Sequence, residues 1–331
     1  MSSPKPPQHS LAEIADRIRQ ARRVIITAHI RPDGDAVGSV MGLALSLRQF
    51  GLEVVPVLED PVPQNLAFLP CSGDITKPAP GHGADLAIVL DTATRERVGP
   101  ANLEALSEVA DWINIDHHPT NPGYGTWNHI ASDSPATGQL IYELLKTGGF
   151  PIDDAVRQHL YAAISTDTGS FQYPSTTGRT YQIAGEMVAA GLQVGALCRQ
   201  LYETYPARRL ELLRAMLNGM EFTAGGRIVS WRYHRSTAEQ IGATPDDTEG
   251  LIDTMRMVDT VIAAVLFEEL PDGKIRVSAR SKDPAVNVAN VCAQFGGGGH
   301  HAAAGARMPG PMDSAADTYL QALENEVRRL D

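Results

Sequence analysis

The feature that most constrains this chain is an alternation of short apolar runs with helical stretches through its first half. VIITAH (residues 24–29), LEVVPVL, DLAIVLD and ADWINID are of strand rather than helix length. Helical segments lie between most of them, the first running from about Asp35 to Phe50, with Gly51 where a helix stop is expected. Strands that alternate with helices pair mainly in parallel and are covered on both faces. The expected fold class is therefore α/β, a mainly parallel doubly wound sheet. PATGQLIYELLKTGGF reads as a further helix closed by Gly148 and Gly149, and DDAVRQHLYAAISTDTG as a helix running into a loop.

The second half has a different grammar. Leu210, Leu213, Leu217 and Met220 recur at helical spacing, and Gly225 and Gly226 follow. RIVSWRY, VIAAVLFEEL and KIRVSARS then read as strands, with PDG a turn between the last two. With 331 residues the chain can bury two cores. The expected organisation is a disordered tail over residues 1–10, an α/β domain over 11–202, a connecting helix over 203–224 and a smaller α+β domain over 225–331.

Acidic and histidine residues collect just after the apparent strands. His29, Asp33 and Asp35 lie in HIRPDGDAVGS, Asp91 ends DLAIVLD, and Asp116, His117 and His118 end WINIDHH, while Asp167 follows the helix in AISTDTGS. In an open parallel sheet the crevice beyond the carboxyl ends of the strands is where ligands bind. Singly, each such Asp is more often a helix cap, and Asp35 is a plausible N-cap. Together, carboxylates and imidazoles without a thiolate suit a hard-to-borderline divalent cation such as Mn²⁺. So many acidic groups in one crevice would repel one another unless cations were bound, and a pair of ions bridged by one carboxylate relieves that repulsion.

Composition narrows the partners. The formal net charge of -11 argues against a protein that tracks along duplex nucleic acid, whose affinity comes from a broad basic surface. No apolar run is long enough to span a bilayer, and MSSPKPPQHS lacks a signal-peptide pattern. Cys71, Cys198 and Cys292 have no CxxC spacing, which fits a reducing cytoplasm.

At HIRPDGDAVGS, the strand ending at Asp91, NIDHH and STDTGSF, the sequence resembles the DHH phosphoesterase superfamily, in particular its nano-RNase and pAp-phosphatase branch. That branch carries a DHH-associated C-terminal domain, matched here by SARSK (278–282) and FGGGGHHAAAG (295–305). The resemblance implies one metal held by His29, Asp33 and Asp91 and a second held by Asp35, Asp91, His117 and Asp167, with Asp91 bridging. Two divalent ions are implied, Mn²⁺ first and Mg²⁺ or Co²⁺ as alternatives, activating a bridging hydroxide. It also implies that His118 contacts phosphate or handles a proton and that Asp116 orients the histidines.

The C-terminal motif has its own chemistry. Gly298 and Gly299 allow close backbone approach, and successive N–H groups can form an anion nest. Arg280 and His300 can bind a phosphate, Lys282 and His301 add positive charge, and Ser281 lies between Arg280 and Lys282. Asn287, His301 and Ala302 depart from the family's usual residues and bear on substrate preference. Phe171 and Tyr173, in SFQYPSTTGRT, could stack on a base or belong to the core. The resulting expectation is a cytoplasmic phosphohydrolase that degrades short oligonucleotides and linear dinucleotides to nucleoside monophosphates and dephosphorylates pAp. Long duplexes and membranes are not expected partners, and the resemblance implies a homodimer. The rivals are an inorganic pyrophosphatase or single-strand exonuclease of the same superfamily, and a non-catalytic nucleotide sensor.

Overall fold

The computed structural model describes residues 7–248 and 250–330. The chain divides into two units, Met1–Thr204 and Tyr205–Asp331. Of the expected N-terminal tail, residues 1–6 lie outside the described residues. Residues 7–10 lead into helix α1 (Leu11–Arg19), which Ser10 opens with a capping box to Glu13.

The first unit is built on five parallel strands, β1 (Arg23–Thr27), β2 (Glu53–Pro56), β3 (Leu86–Leu90), β4 (Trp112–Asp116) and β5 (Trp127–Ile130). Their spatial order is β2-β1-β3-β4-β5. The strand order switches between β1 and β3, with β2 added on one side of β1 and β3 to β5 on the other, so the crevice of this sheet opens there. Every residue of β3 and β4 is buried because both faces are covered. Ile26, Ile88 and Ile113 pack with α1, α2 (Gly34–Phe50), α4 (Thr137–Gly148) and α5 (Asp154–Asp167). Ile25, Ala87 and Val89 face the opposite side, where α3 (Pro100–Leu106) lies. This is the α/β doubly wound architecture expected from the sequence.

Helix α2 approaches α5 unusually closely. A Cβ at Gly34 would stand 2.3 Å from Thr166 Oγ1, one at Gly38 2.4 Å from the His159 carbonyl, and one at Gly42 2.7 Å from Leu160 Cδ2. Glycines four residues apart thus form a groove along one side of α2 that receives α5. Helices α6 (Gly178–Ala189) and α7 (Val194–Tyr202) complete the unit.

The second unit holds α8 (Ala207–Gly219) and a six-stranded sheet of β6 (Glu221–Thr223), β7 (Ile228–Tyr233), β8 (Ala263–Glu269), β9 (Lys274–Ser281), β10 (Gly298–His300) and β11 (Ala303–Pro309). The order is β10-β11-β9-β8-β7-β6. Pro206 holds extended backbone ahead of α8, so the helical run expected from Glu203 begins four residues later. Leu212 and Met216 of α8 are buried against Trp231 and Leu266, together with α10 (Leu251–Met255), which follows the short α9 (Arg235–Ile241). The other face of the sheet packs on α11 (Val288–Ala293) and α12 (Met312–Val327) through Val277, Ala304 and Tyr319. Among the described residues no helix is long and apolar enough to cross a membrane.

Candidate metal centre

The ends of β1, β3 and β4 deliver the first group of polar side chains. His29 lies two residues beyond β1, Asp91 directly follows β3, Asp116 ends β4, and His117 and His118 come next. Asp91 takes a left-handed φ of 49°, a sharp turn at the strand end. Helix starts and ends deliver the rest. Asp33 caps α2, its Oδ1 accepting from the N–H groups of Asp35 (3.0 Å) and Ala36 (3.1 Å). The N-cap role considered for Asp35 thus belongs to Asp33, and Asp35 sits in the first turn. Asp167 is the last residue of α5.

Asp91 is the centre of the cluster. Its Oδ2 lies 3.3 Å from His29 Nε2 and its Oδ1 3.4 Å from His117 Nε2, so one carboxylate faces two imidazoles with different oxygens. His29 Nε2 is 3.7 Å from Asp33 Oδ2, and His117 Nε2 is 3.4 Å from Asp167 Oδ2. Ligand atoms of His29, Asp33 and Asp91 fall within 4.8 Å of one another, as do those of Asp35, His117 and Asp167. Donors held about 2.1 Å from one ion stand roughly 3.0–3.5 Å apart, so these spacings suit a coordination sphere. The structure thus brings together all six residues read from the sequence as metal ligands.

Asp35 is held from an unexpected direction. Its Oδ2 accepts from Thr137 N (2.6 Å) and its Oδ1 from Gly138 N (2.8 Å) and Ser39 Oγ (3.1 Å). Ala136, at the N-cap of α4, supplies no side-chain cap, so Asp35 caps that helix from across the core. The imidazoles are fixed as well. His29 Nδ1 donates to the Ile30 carbonyl (2.8 Å) and His117 Nδ1 to the Ser134 carbonyl (3.3 Å), which assigns the lone pair of the neutral ring to Nε2 in both. The Arg97 guanidinium lies 3.4 Å from His29 Nδ1.

Asp116 is wholly buried and supports its neighbours. Oδ1 accepts from His118 Nδ1 (2.7 Å) and the His117 N–H (2.9 Å), while Oδ2 accepts from Asn121 Nδ2 (2.6 Å). Asn121, Thr137, Ser39 and Arg97 were not read from the sequence as part of this site. Asn121, three residues past the His-His pair in HHPTN, and Ser39, one helical turn past Asp35, carried a local signal, each a side-chain donor close in the chain to the carboxylate it serves.

The electrostatics call for a cation. Burial and the carboxylates of Asp91 and Asp167 push Asp35 well above the usual carboxylate range. Burial likewise raises Asp167 to about 7. Burial acts against Asp91 too, but its contacts with His117 and His29 hold it well below the usual range. The imidazoles answer in kind. Burial opposes their charge, yet the carboxylates push His29 up to about 10 and His117 up to about 11. In the metal-free protein the imidazolium ions therefore serve as counter-charges, which divalent ions would replace. The donor set fits such ions, and Asp91 faces His29 of one group with one oxygen and His117 of the other with its second.

In the second unit the strand register organises the other expected residues. Arg280 pairs with Ala303, and Ala303 with His300, so Arg280 and His300 lie on one face in one row. The next row is Ser278, Gly305 and Gly298, side chains small enough to leave a shelf. In place of a loop whose successive N–H groups converge, Gly298–His300 is a strand at the sheet edge. A Cβ at Gly299 would stand 2.6 Å from the Ala303 carbonyl, and one at Gly297 2.2 Å from the Gly305 carbonyl, so glycine is what lets this strand close on β11. Ser281 is buried on the opposite face, its hydroxyl donating to the Asp283 carbonyl (2.8 Å). Lys282 Nζ donates to the Val258 carbonyl (2.7 Å), and His301 is exposed in the turn after β10. Asn287, one of the departures noted above, caps α11.

A doubly wound α/β unit with a buried carboxylate–imidazole cluster at its switch point has the form of a metal-dependent hydrolase. Comparison with known proteins supplies the family. Residues 23–164 match the DHH family, N-terminal domain, and residues 232–329 match the DHHA1 domain. The chain is 31% identical to the "bifunctional oligoribonuclease and PAP phosphatase NrnA" of Thermus thermophilus, over 92% of this chain and 90% of that one. It is also 31% identical to the Bacillus subtilis protein of the same name, over 86% and 88% of the two chains. The fold is that of an exopolyphosphatase-related protein from Bacteroides fragilis, with a TM-score of 0.88 over 95% of both chains at 24% identity. This chain belongs to the DHH family of phosphoesterases.

Proposed function

We propose that this protein is a cytoplasmic, Mn²⁺-dependent phosphohydrolase that cuts short oligonucleotides and linear dinucleotides to nucleoside monophosphates and removes the 3′-phosphate of pAp. The observation that carries the reading is Asp91, which turns one oxygen to the His29 side of the cluster and the other to the His117 side. Two ions would be held, one by His29, Asp33 and Asp91 and the other by Asp35, Asp91, His117 and Asp167. When bound, they supply Lewis acidity that lowers the pKa of water and offsets the charge of the phosphoester.

The chain's own residues position that chemistry. The Ile30 and Ser134 carbonyls aim the two imidazoles, and the α4 N-terminus fixes both oxygens of Asp35. His118, its Nδ1 proton held by Asp116, reaches the phosphate or the departing oxygen through Nε2. Arg280 and His300, in one row on the second sheet, bind the nucleotide, with Gly298 in the shelf row beside them, Gly299 letting that strand close on β11, and Lys282 and His301 adding positive charge. The names of the 31%-identical relatives, which combine an oligoribonuclease with a PAP phosphatase, support this choice over a pyrophosphatase.

The test is product analysis with Mn²⁺ on pAp, pyrophosphate, a dinucleotide and a 24-mer, wild type against Asp91→Ala. Nucleoside monophosphates from the dinucleotide and pAp, slower attack on the 24-mer and no turnover by the variant are expected. Pyrophosphate as the preferred substrate, or a 24-mer degraded as fast as a dinucleotide, would overturn the reading.

A further inference from the structure

Immediately beyond Asp167 the chain makes a turn that its composition does not favour. Gly169, Ser170 and Phe171 take φ values of 55°, 59° and 65° in succession, and two of the three are not glycine. L-residues enter this left-handed region at a cost of order 1 kcal/mol each, so surrounding structure must hold them there. It does. Ser170 N donates to the Ser165 carbonyl (2.7 Å), Phe171 N to Thr168 Oγ1 (3.0 Å), and Gln172 N and Tyr173 N both to the Thr168 carbonyl (2.9 Å each).

The two aromatic residues of this turn have different surroundings. Phe171 is the anchor, its ring centroid 5.6 Å from that of Tyr161 and 5.5 Å from that of Tyr181, whose hydroxyl donates to the Phe171 carbonyl. Tyr173 instead lies flush on Gly169, where a Cβ would stand 2.3 Å from its Cε1, and it is 36% exposed. The turn therefore fixes a partly exposed aromatic ring against the second residue after Asp167. A nucleotide whose phosphate lies at the carboxylates carries its base within reach of such a ring, and every base offers a face to stack.

Resting on the phosphohydrolase reading above, we infer that Tyr173 is a base-stacking platform, the residue by which the catalytic unit itself distinguishes a nucleotide from other phosphoesters. A stacked base contributes about 1–3 kcal/mol, which corresponds to roughly 5- to 150-fold in kcat/KM. The experiment compares pAp with its base-free analogue, ribose 3,5-bisphosphate, in wild type, Tyr173→Phe and Tyr173→Ala, each checked for unchanged thermal unfolding and Mn²⁺ content. Wild type and Tyr173→Phe are expected to prefer pAp, and Tyr173→Ala to lose that preference through a raised KM for pAp. A loss of equal size on both substrates would assign Tyr173 a merely structural role, and no loss on either would remove it from the site. Both results overturn the inference. A wild-type enzyme inactive on pAp and on dinucleotides would overturn the phosphohydrolase reading as well.

Discussion

The substitution Gly38→Ala probes how the packing of two helices holds the metal centre. A Cβ at this position would stand 2.4 Å from the His159 carbonyl oxygen and 2.8 Å from Ala163 Cβ. An ordinary carbon–oxygen contact needs roughly 3.3 Å, so α2 must withdraw from α5 by just under about 1 Å. Overpacking of this kind costs about 1–3 kcal/mol. The withdrawal also moves the site, because Asp35 sits one turn before Gly38 on α2 and Asp167 ends α5. A misplacement near 1 Å costs on the order of 100-fold in rate. Urea unfolding and kcat at saturating Mn²⁺ measure the two effects. Gly185→Ala is the control, since no atom lies within 4 Å of its added Cβ and the residue is helical. It should be neutral or stabilise by about 0.5–1 kcal/mol. A Gly38→Ala protein as stable and as active as the control would refute the packing account.

Three further outcomes are expected. Loading divalent ions near pH 8 should release at least about two protons per chain, because His29 and His117 are held protonated up to about 10 and about 11 until metal displaces the proton. Calorimetry in buffers of different ionisation enthalpy counts them, and zero release would contradict the electrostatics. Burial lowers His159, which donates through Nε2 to the Pro70 carbonyl, to about 4. The unfolded chain then binds more protons between pH 6.5 and 4, so its stability contribution is present above 6.5 and lost as pH falls toward 4, at most about 3 kcal/mol. His159→Gln should flatten the pH dependence of urea midpoints over that window, and an unchanged slope would refute it. Asp116→Asn should lower kcat about 10²- to 10⁴-fold with little change in KM, by misorienting His118. Steady-state kinetics checks this, and a raised KM at full kcat would point instead to substrate contact.

What sequence alone revealed was set by how local each signal is. Asp91 was legible because DLAIVLD is a continuous buried run that ends on a carboxylate, and His29 and Asp116 follow similar runs. The Asp35 contact with Thr137 was not, because those residues lie 102 positions apart and meet only when α2, α4 and α5 pack. Strand β5 escaped because WNHI alternates no apolar face that a sequence pattern could register. The glycine segment of residues 296–299 suggested a phosphate-binding loop, since glycine's freedom in the unfolded chain gives no hint that Gly297 and Gly299 serve close strand pairing. In SFQYPSTTGRT the spacing alone did not divide the aromatic residues, and only the packing of Phe171 on Tyr161 and Tyr181 separates anchor from exposed ring.

The central claim is that one carboxylate, Asp91, is shared by two metal ions. Mn²⁺ binding stoichiometry, measured by equilibrium titration with elemental analysis of wild type, Asp33→Ala and Asp91→Ala, tests it directly. Two ions per chain in wild type, one in Asp33→Ala and weakened binding at both sites in Asp91→Ala are expected. An Asp91→Ala protein that still binds two ions with wild-type affinity would contradict the account.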